Sequence, residues 1–258
     1  MGAGVDVTFD CAGFNKTITT ALNATQPGGK VCLVGMGHSE MTVPLTAAAA
    51  SKQFKFLLDY LYYFKTMRCA DFIVKEPMVI GHECARIIEE VGSQIQTLVP
   101  SDRVAVEPGI SCWPCDHCKL GRYNLCPEMN FFATPPVHGS LANQIVHPAD
   151  LCFKLPDNVS LEEGAMCEPL SVGFHACRRA NIGPETNVLI MGAGPIGLVT
   201  MLSARAFVAP RIVVVDVDDH RLSVAKSLGA DDIVKVSTNI QVFSIRRFLI
   251  SSIFSPLT

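Results

Sequence analysis

Charge is scarce in this sequence. Only 17% of its 258 residues are Asp, Glu, Lys or Arg, and 21 basic residues against 24 acidic ones leave a net charge of −3. No basic run appears. That speaks against a nucleic-acid surface, because phosphate binding needs clustered Lys and Arg. A membrane span is missing too. Mean hydropathy is high at +0.32, yet the apolar uncharged stretch Val188–Ala204 carries three glycines and a proline. Met1–Asp10 has neither the basic leader nor the apolar core of a signal peptide, and Asp6 stands where a myristoylation signal wants Ser or Thr. No internal repeat or low-complexity tract stands out. These absences leave a soluble, globular chain, expected in the cytoplasm, with length for about two domains.

Cysteine, by contrast, is plentiful. Eleven cysteines in a chain without a secretory leader are read as reduced thiols, and clustered ones as metal ligands before disulfides. Along the chain, residues 1–50 carry a β-α-β pattern: Val5, Val7 and Phe9 alternate up to Asp10, Asn15 caps a helix through Ala24, Pro27-Gly28-Gly29 breaks the chain, and Lys30–Gly35 is a buried strand. Residues 51–64 form an aromatic-rich linker. Residues 65–181 are mixed and rich in Pro and Cys, with strand signals at Met78–Ile80 and Arg103–Val106; residues 182–241 alternate strand and helix, and 242–258 form an unpatterned tail.

In the alternating segment, an apolar strand at Asn187–Met191 runs into Gly192-Ala193-Gly194-Pro195-Ile196-Gly197 and a helix to about Ala206. Gly192 suits the tight turn, Gly194 the approach of a pyrophosphate, and Gly197 close packing of helix on strand. A second strand, Arg211–Val215, ends at Asp216, nineteen residues after Gly197. An acid there accepts hydrogen bonds from a ribose and repels a 2′-phosphate, favouring NAD over NADP. A turn of helix later, Arg221 either covers the adenosine ribose or pairs on the surface with Asp218 or Asp219.

Cys112, Cys115, Cys118 and Cys126 are spaced C-x2-C-x2-C-x7-C, which suits a closed tetrahedral zinc site with a structural role. An iron–sulfur cluster is the alternative, since Pro127 follows Cys126, but ferredoxin spacing has three residues before the last cysteine rather than seven. The remaining seven cysteines (Cys11, Cys32, Cys69, Cys84, Cys152, Cys167 and Cys177) read as core filler. Gly81-His82-Glu83 follows an apolar strand. Glu168, in Cys167-Glu168-Pro169-Leu170, is an acid in an apolar stretch that needs a partner, and a metal is one candidate. His175 reads as a packed histidine.

Gly-His-Glu, the four-cysteine lobe, Cys-Glu-Pro-Leu-Ser-Val and Gly-Ala-Gly-Pro-Ile-Gly occur in the order seen in zinc-containing medium-chain dehydrogenases. Lys65–Gln241 resembles that family almost without a gap, with a likeness to its polyol (sorbitol, L-iditol) dehydrogenases. The resemblance implies an α/β chain: a truncated GroES-like catalytic domain beside an incomplete Rossmann NAD-binding domain. It implies catalytic zinc at His82, Glu83 and Glu168, the last directly or through water, and structural zinc at the four cysteines. It also implies a tyrosine against the polyol at Tyr63, and NAD contacts at Ile196, Asp216 and Arg221, with Val34, Gly35 and Met36 flanking the nicotinamide. A zinc- and NAD-dependent oxidation of a small polyol, in a homo-oligomer, is what the family would do; a catalytically dead relative is the alternative.

The departures from the pattern are specific. Residues 1–50 resemble the family's later Rossmann strands, which belong after residue 241. Leu57 stands where the family has its first zinc-binding cysteine, so turnover is expected to suffer. Arg86, Ser101 and Val208 stand where the pattern has glycine. The sheet is expected to assemble if the first β-α-β docks beside Asn187–Met191.

Overall fold

The computed structural model describes residues 4–35, 68–69, 72–73 and 75–237. In chain order its strands and helices are β1 (Val5–Asp10), α1 (Asn15–Ala24), β2 (Thr25–Leu33), β3 (Arg68–Cys69), β4 (Phe72–Ile73), β5 (Ala85–Ile87), β6 (Arg103–Val106), β7 (Gly109–Ile110), α2 (Asp116–Lys119), β8 (Asn130–Phe131), β9 (Cys152–Lys154), α3 (Leu161–Ala165), α4 (Cys167–Ala180), β10 (Asn187–Met191), α5 (Pro195–Ala206), β11 (Arg211–Asp216), α6 (Asp219–Ser227) and β12 (Asp232–Lys235). No helix among the described residues is long and apolar enough to cross a membrane.

The chain divides into two compact units, Met1–Tyr63 with Leu170–Thr258, and Phe64–Pro169. In the first, five strands form a parallel sheet in the order β12-β11-β10-β1-β2. The early β-α-β thus docks beside β10, with Val7 to Asp10 in register with Val188 to Met191. The reason lies in the strands themselves. An apolar run such as Val188-Leu189-Ile190-Met191 must be covered on both faces. Val188 and Ile190 enter one core with Phe9, Ala176, Cys177 and Met201, while Leu189 and Met191 enter the other with Val5, Val213 and Val215. Helix α4 belongs to the first of these cores through Val172, Ala176, Cys177 and Ala180. The unit boundary therefore falls at Pro169, where the sequence suggests 181.

The second unit contains the antiparallel sheet β5-β6-β9 and the pairs β3–β4 and β7–β8. Cys84, Leu98, Val104, Val106 and Phe132 form its core. Ser160 caps α3 reciprocally with Glu163, and Arg103 holds the carbonyls of Pro156, Asp157 and Val159.

Several local expectations change. Met78–Ile80 is not a strand: the carbonyls of Val79, Ile80 and Gly81 accept the N–H groups of Gly139, Leu141 and Ser140 in an irregular segment, and the Val79 N–H goes to the His138 ring, so no ladder forms. Asn15 is the first helical residue rather than the cap. Phe14 holds the cap position, and the Thr17 hydroxyl accepts its N–H. Pro27-Gly28-Gly29 does not separate α1 from a strand at Lys30–Gly35 but makes an irregularity within β2, which already starts at Thr25, with Gly28 at φ +82°. Among the supposed filler cysteines, Cys32, Cys84 and Cys177 are buried, but Cys167, the first residue of α4, is exposed.

Candidate metal centres and dinucleotide crevice

Among the described residues, metal-ligating side chains converge twice, both times within the second unit. Cys112, Cys115, Cys118 and Cys126 place their sulfurs within 4.8 Å of one another. Cys115 and Cys118 lie 3.5 Å apart, and the Cys112 N–H points at the Cys126 sulfur at 3.4 Å. The α2 turn and the 3-10 turn at Tyr123–Leu125 bury none of their residues, so the lobe has little apolar packing of its own. Crowding spreads the thiol titrations. Cys118 gives up its proton at about 7, helped first by the Ser111 hydroxyl and then by the Cys115 and Cys126 thiols. Cys112 is held up to about 12: the Cys115 N–H, which alone would lower it, is outweighed by desolvation and by the neighbouring Cys126 and Cys115 sulfurs. Four sulfurs at this spacing fit a tetrahedral zinc site.

The other group joins His82, Glu83 and Glu168, again within 4.8 Å. Glu168 sits in the first turn of α4, and its pKa is pushed up to about 7 by burial and then by the Glu83 and Glu107 charges. Burial lowers that of His82 despite Glu83, so the imidazole is neutral, as ligation requires. Phe131 lies beside that ring, with centroids 5.6 Å apart. A neutral imidazole with mutually repelling carboxylates is a donor set that a divalent cation relieves. It therefore fits a metal. Glu107 is the residue that sequence reasoning passes over. Its Glu-Pro-Gly context looks like an ordinary turn, yet the carboxylate accepts from the Tyr123 hydroxyl at 2.9 Å and adds its charge to Glu168. Its signal is an acid before proline, as at Glu168, here just after the apolar strand Arg103–Val106.

The first unit holds the dinucleotide candidates. Gly192 turns the chain at φ +107°, and a Cβ on Gly197 would meet the Gly192 oxygen at 1.9 Å, so only glycine lets α5 pack there. Gly194 caps α5 with open space beside it, and half-buried Ile196 packs on the core. Asp216 is nearly buried, accepting from the Ala193 N–H at 2.6 Å and the Asp218 N–H at 2.9 Å. Arg221 is exposed, and its backbone N–H donates to Asp218. Asp219 pairs instead with Lys235, which removes one of the surface partners considered for Arg221. Val34 is buried, and the Val34 and Gly35 N–H groups both donate to the Asp10 carbonyl. Met36, Leu57 and Tyr63 lie outside the described residues. At the positions where the family pattern has glycine, Ser101 and Val208 do adopt positive φ, at 77° and 58°. Arg86 does not; it lies in β5, and its guanidinium donates to the Ser140 carbonyl.

A five-stranded parallel sheet with a glycine-rich turn in one unit, and two metal-ligand clusters in the other, are features found together in metal-binding, dinucleotide-dependent dehydrogenases. The chain is similar in sequence to zinc-containing alcohol dehydrogenases. The alcohol dehydrogenase GroES-like domain matches residues 58–157, and the zinc-binding dehydrogenase domain matches residues 1–74. A sorbitol dehydrogenase of Arabidopsis thaliana is 79% identical over 181 residues, which are 70% of this chain and 50% of that protein. An L-idonate 5-dehydrogenase of Vitis vinifera is 77% identical over 181 residues, with the same coverage of 70% and 50%. The crystal structure of galactitol-1-phosphate dehydrogenase from Escherichia coli matches with a TM-score of 0.63 and 34% identity, over 69% of this chain and 51% of that one. The chain spans about half the length of the curated relatives it matches.

Proposed function

We propose that this chain is a zinc- and NAD-dependent oxidoreductase that takes a secondary alcohol of a small polyol to the ketone. The observation that carries the reading is the convergence of His82, Glu83 and Glu168 on one point. These three would hold a catalytic zinc, and Cys112, Cys115, Cys118 and Cys126 a structural one. Bound there, zinc would polarise the alcohol oxygen and so ease loss of its proton, with nicotinamide as the hydride acceptor. His82 serves as a neutral donor, and Glu168, titrating near neutrality, can hold or release a proton at its carboxylate. The Gly192–Gly197 turn and the α5 N-terminus suit a pyrophosphate. Asp216, already bound to two backbone amides, keeps lone pairs for a ribose and would repel a 2′-phosphate. By the family pattern, Ile196, Arg221, Val34, Gly35 and Met36 complete the NAD contacts and Tyr63 touches the polyol. The described cysteines are free, as a reducing cytoplasm would keep them.

The test uses the purified full chain. Elemental mass spectrometry is expected to find zinc at both centres, the His82 centre being the weaker because Leu57 supplies no thiolate. Absorbance at the nicotinamide band with sorbitol should then show slow NAD reduction that rises with added zinc and disappears in His82→Ala. Calorimetry should find NAD bound more tightly than NADP. Turnover indifferent to His82→Ala would overturn the assignment of the centre, and iron with visible absorbance would overturn zinc at the cysteines.

A further inference from the structure

In a parallel sheet a ligand binds beyond the carboxyl ends of the strands, where the chain's winding changes direction. Here that point lies between β10 and β1: the chain proceeds from β10 through β11 to β12 on one side, and from β1 to β2 on the other. Asp10 ends β1 at this point, in register with Met191, which ends β10. Its side chain is fully buried, and its carboxylate accepts the N–H groups of Ala12 at 3.4 Å and Gly13 at 3.2 Å. Its carbonyl accepts those of Val34 and Gly35. The loop it holds, Cys11–Phe14, rests against the glycine turn: the Cys11 N–H donates to the Met191 carbonyl at 2.8 Å, and a Cβ on Gly192 would lie 3.4 Å from the Ala12 nitrogen.

We propose that the Asp10 carboxylate is a positioning residue for the dinucleotide crevice, fixing the Cys11–Phe14 wall, so that the grip on a dinucleotide weakens when this carboxylate is protonated. The inference rests on the dinucleotide reading above. An ionised acid accepts amide hydrogen bonds more strongly than a neutral one, so protonation slackens the loop. Burial raises the Asp10 pKa to about 6, against the Thr17 hydroxyl and the Ala12 and Gly13 amides, which steady the charge. The neighbouring elements carry these titratable groups: Cys11 follows the strand directly, β2 has Lys30 and Cys32, α1 has Lys16 in its first turn and α4 has Cys177; the Lys30 amine donates to the Ala180 carbonyl, and β10 brings Met191 opposite Asp10 and no charge. Burial pushes Cys32 and Cys177 to about 12 and Cys11 higher still, so these thiols do not titrate with Asp10. A buried acid at a ligand crevice, titrating near working pH, is the pattern of a functional group rather than of a packing residue.

NADH binding to the full chain, followed by nucleotide fluorescence from pH 5 to 7.5, tests this. Affinity of the natural chain should fall as the pH drops through about 6. Asp10→Asn should bind about tenfold more weakly at pH 7.5, with a flattened profile. Thr17→Val, which keeps the carboxylate but removes a group that steadies it, should shift the midpoint upward and serves where the Asn variant does not fold. NADH binding with the same affinity and profile in all three proteins overturns the role of Asp10 alone. Absence of NADH binding by the natural chain at every pH overturns the dinucleotide reading and this inference together.

Discussion

The dinucleotide unit takes its sheet from opposite ends of the sequence, whereas the metal-binding unit is built from contiguous chain. Yet the first is the better sealed. In β1, β10 and β11 both faces are covered, and Phe9, Leu189, Ile190 and Ile212 are fully buried. In the β5-β6-β9 sheet, Ile87 and Phe153 are more than half exposed, and a cavity of about 630 Å³ is lined by Leu98, Val104, Val106 and Ile145. Proximity in sequence does not decide how well a core closes. What decides it is whether enough apolar strand and helix is at hand for each face. The displaced β-α-β supplies that for β10.

The sharpest break should come where the second unit lacks a core altogether. The cysteine lobe buries none of its α2 side chains, so its order is expected to depend on metal. Cys115→Ser should lower the zinc content by about one ion per chain and speed proteolysis around residues 112–126, leaving the dinucleotide unit intact. Structural zinc sites are worth about 10–16 kcal/mol in isolated peptides, more than any packing change considered below. Unchanged zinc content in this variant would show that the sulfurs do not form the site.

Next in size are two deletions of equal chemistry. Ile190→Ala removes a fully buried side chain from a closed core and should cost about 3–4 kcal/mol in urea unfolding. Leu98→Ala borders the cavity, where solvent fills the space vacated, and should cost about 2 kcal/mol. Equal losses would mean that the second core is as tightly closed as the first.

The same contrast explains what could be read beforehand. Continuous apolar strands, a glycine turn and an acid at a strand end made β10, α5 and β11 legible, because local pattern and burial agree there. The cysteine spacing made the lobe legible. Met78–Ile80 was misread, because its apolar run meets an irregular partner rather than a strand. Glu107 and Asp10 were passed over, since a carboxylate's role depends on which amides, hydroxyls and charges the fold brings to it. The cap at Asn15 was one residue off because Thr17, not Asn15, serves the free N–H.

Asp10 gives a smaller effect that runs against the usual direction for acids. Its folded pKa of about 6 lies above the ordinary value of 3.8, so the folded chain binds the proton more tightly between those limits. Its contribution to stability is fully present below 3.8 and lost as the pH rises through about 6. The dinucleotide unit should therefore gain stability from this group on acidification, by at most about 3 kcal/mol. Urea midpoints between pH 4.5 and 7.5 should show that slope in the natural chain and a reduced slope in Asp10→Asn. The Asn variant should also be the more stable at pH 7.5 while binding dinucleotide less well. An unchanged slope would mean that Asp10 keeps its charge throughout.

The smallest effects sharpen the comparison at single backbone positions, one in each unit. Val208 holds φ +58° and Ser101 φ +77°, in the left-handed region where a Cβ crowds the following carbonyl. For a β-branched side chain that conformation is a genuine outlier, and Val208 is 63% exposed, so its side chain returns little by packing. Val208→Gly removes a strain of about 1–2 kcal/mol but adds backbone freedom to the unfolded chain worth about 0.5–1 kcal/mol. The net expectation is a gain of about 0.5–1 kcal/mol in the dinucleotide unit. Ser101→Gly follows the same reasoning with a smaller, unbranched side chain, and its gain should be about half as large. Arg86 supplies the control. It lies in β5 without positive φ and donates to the Ser140 carbonyl, so Arg86→Gly should lose stability by about 1 kcal/mol or more. Chemical unfolding of the three variants reads all of these differences. A loss in Val208→Gly would mean that the valine earns its place through contacts rather than merely tolerating the turn.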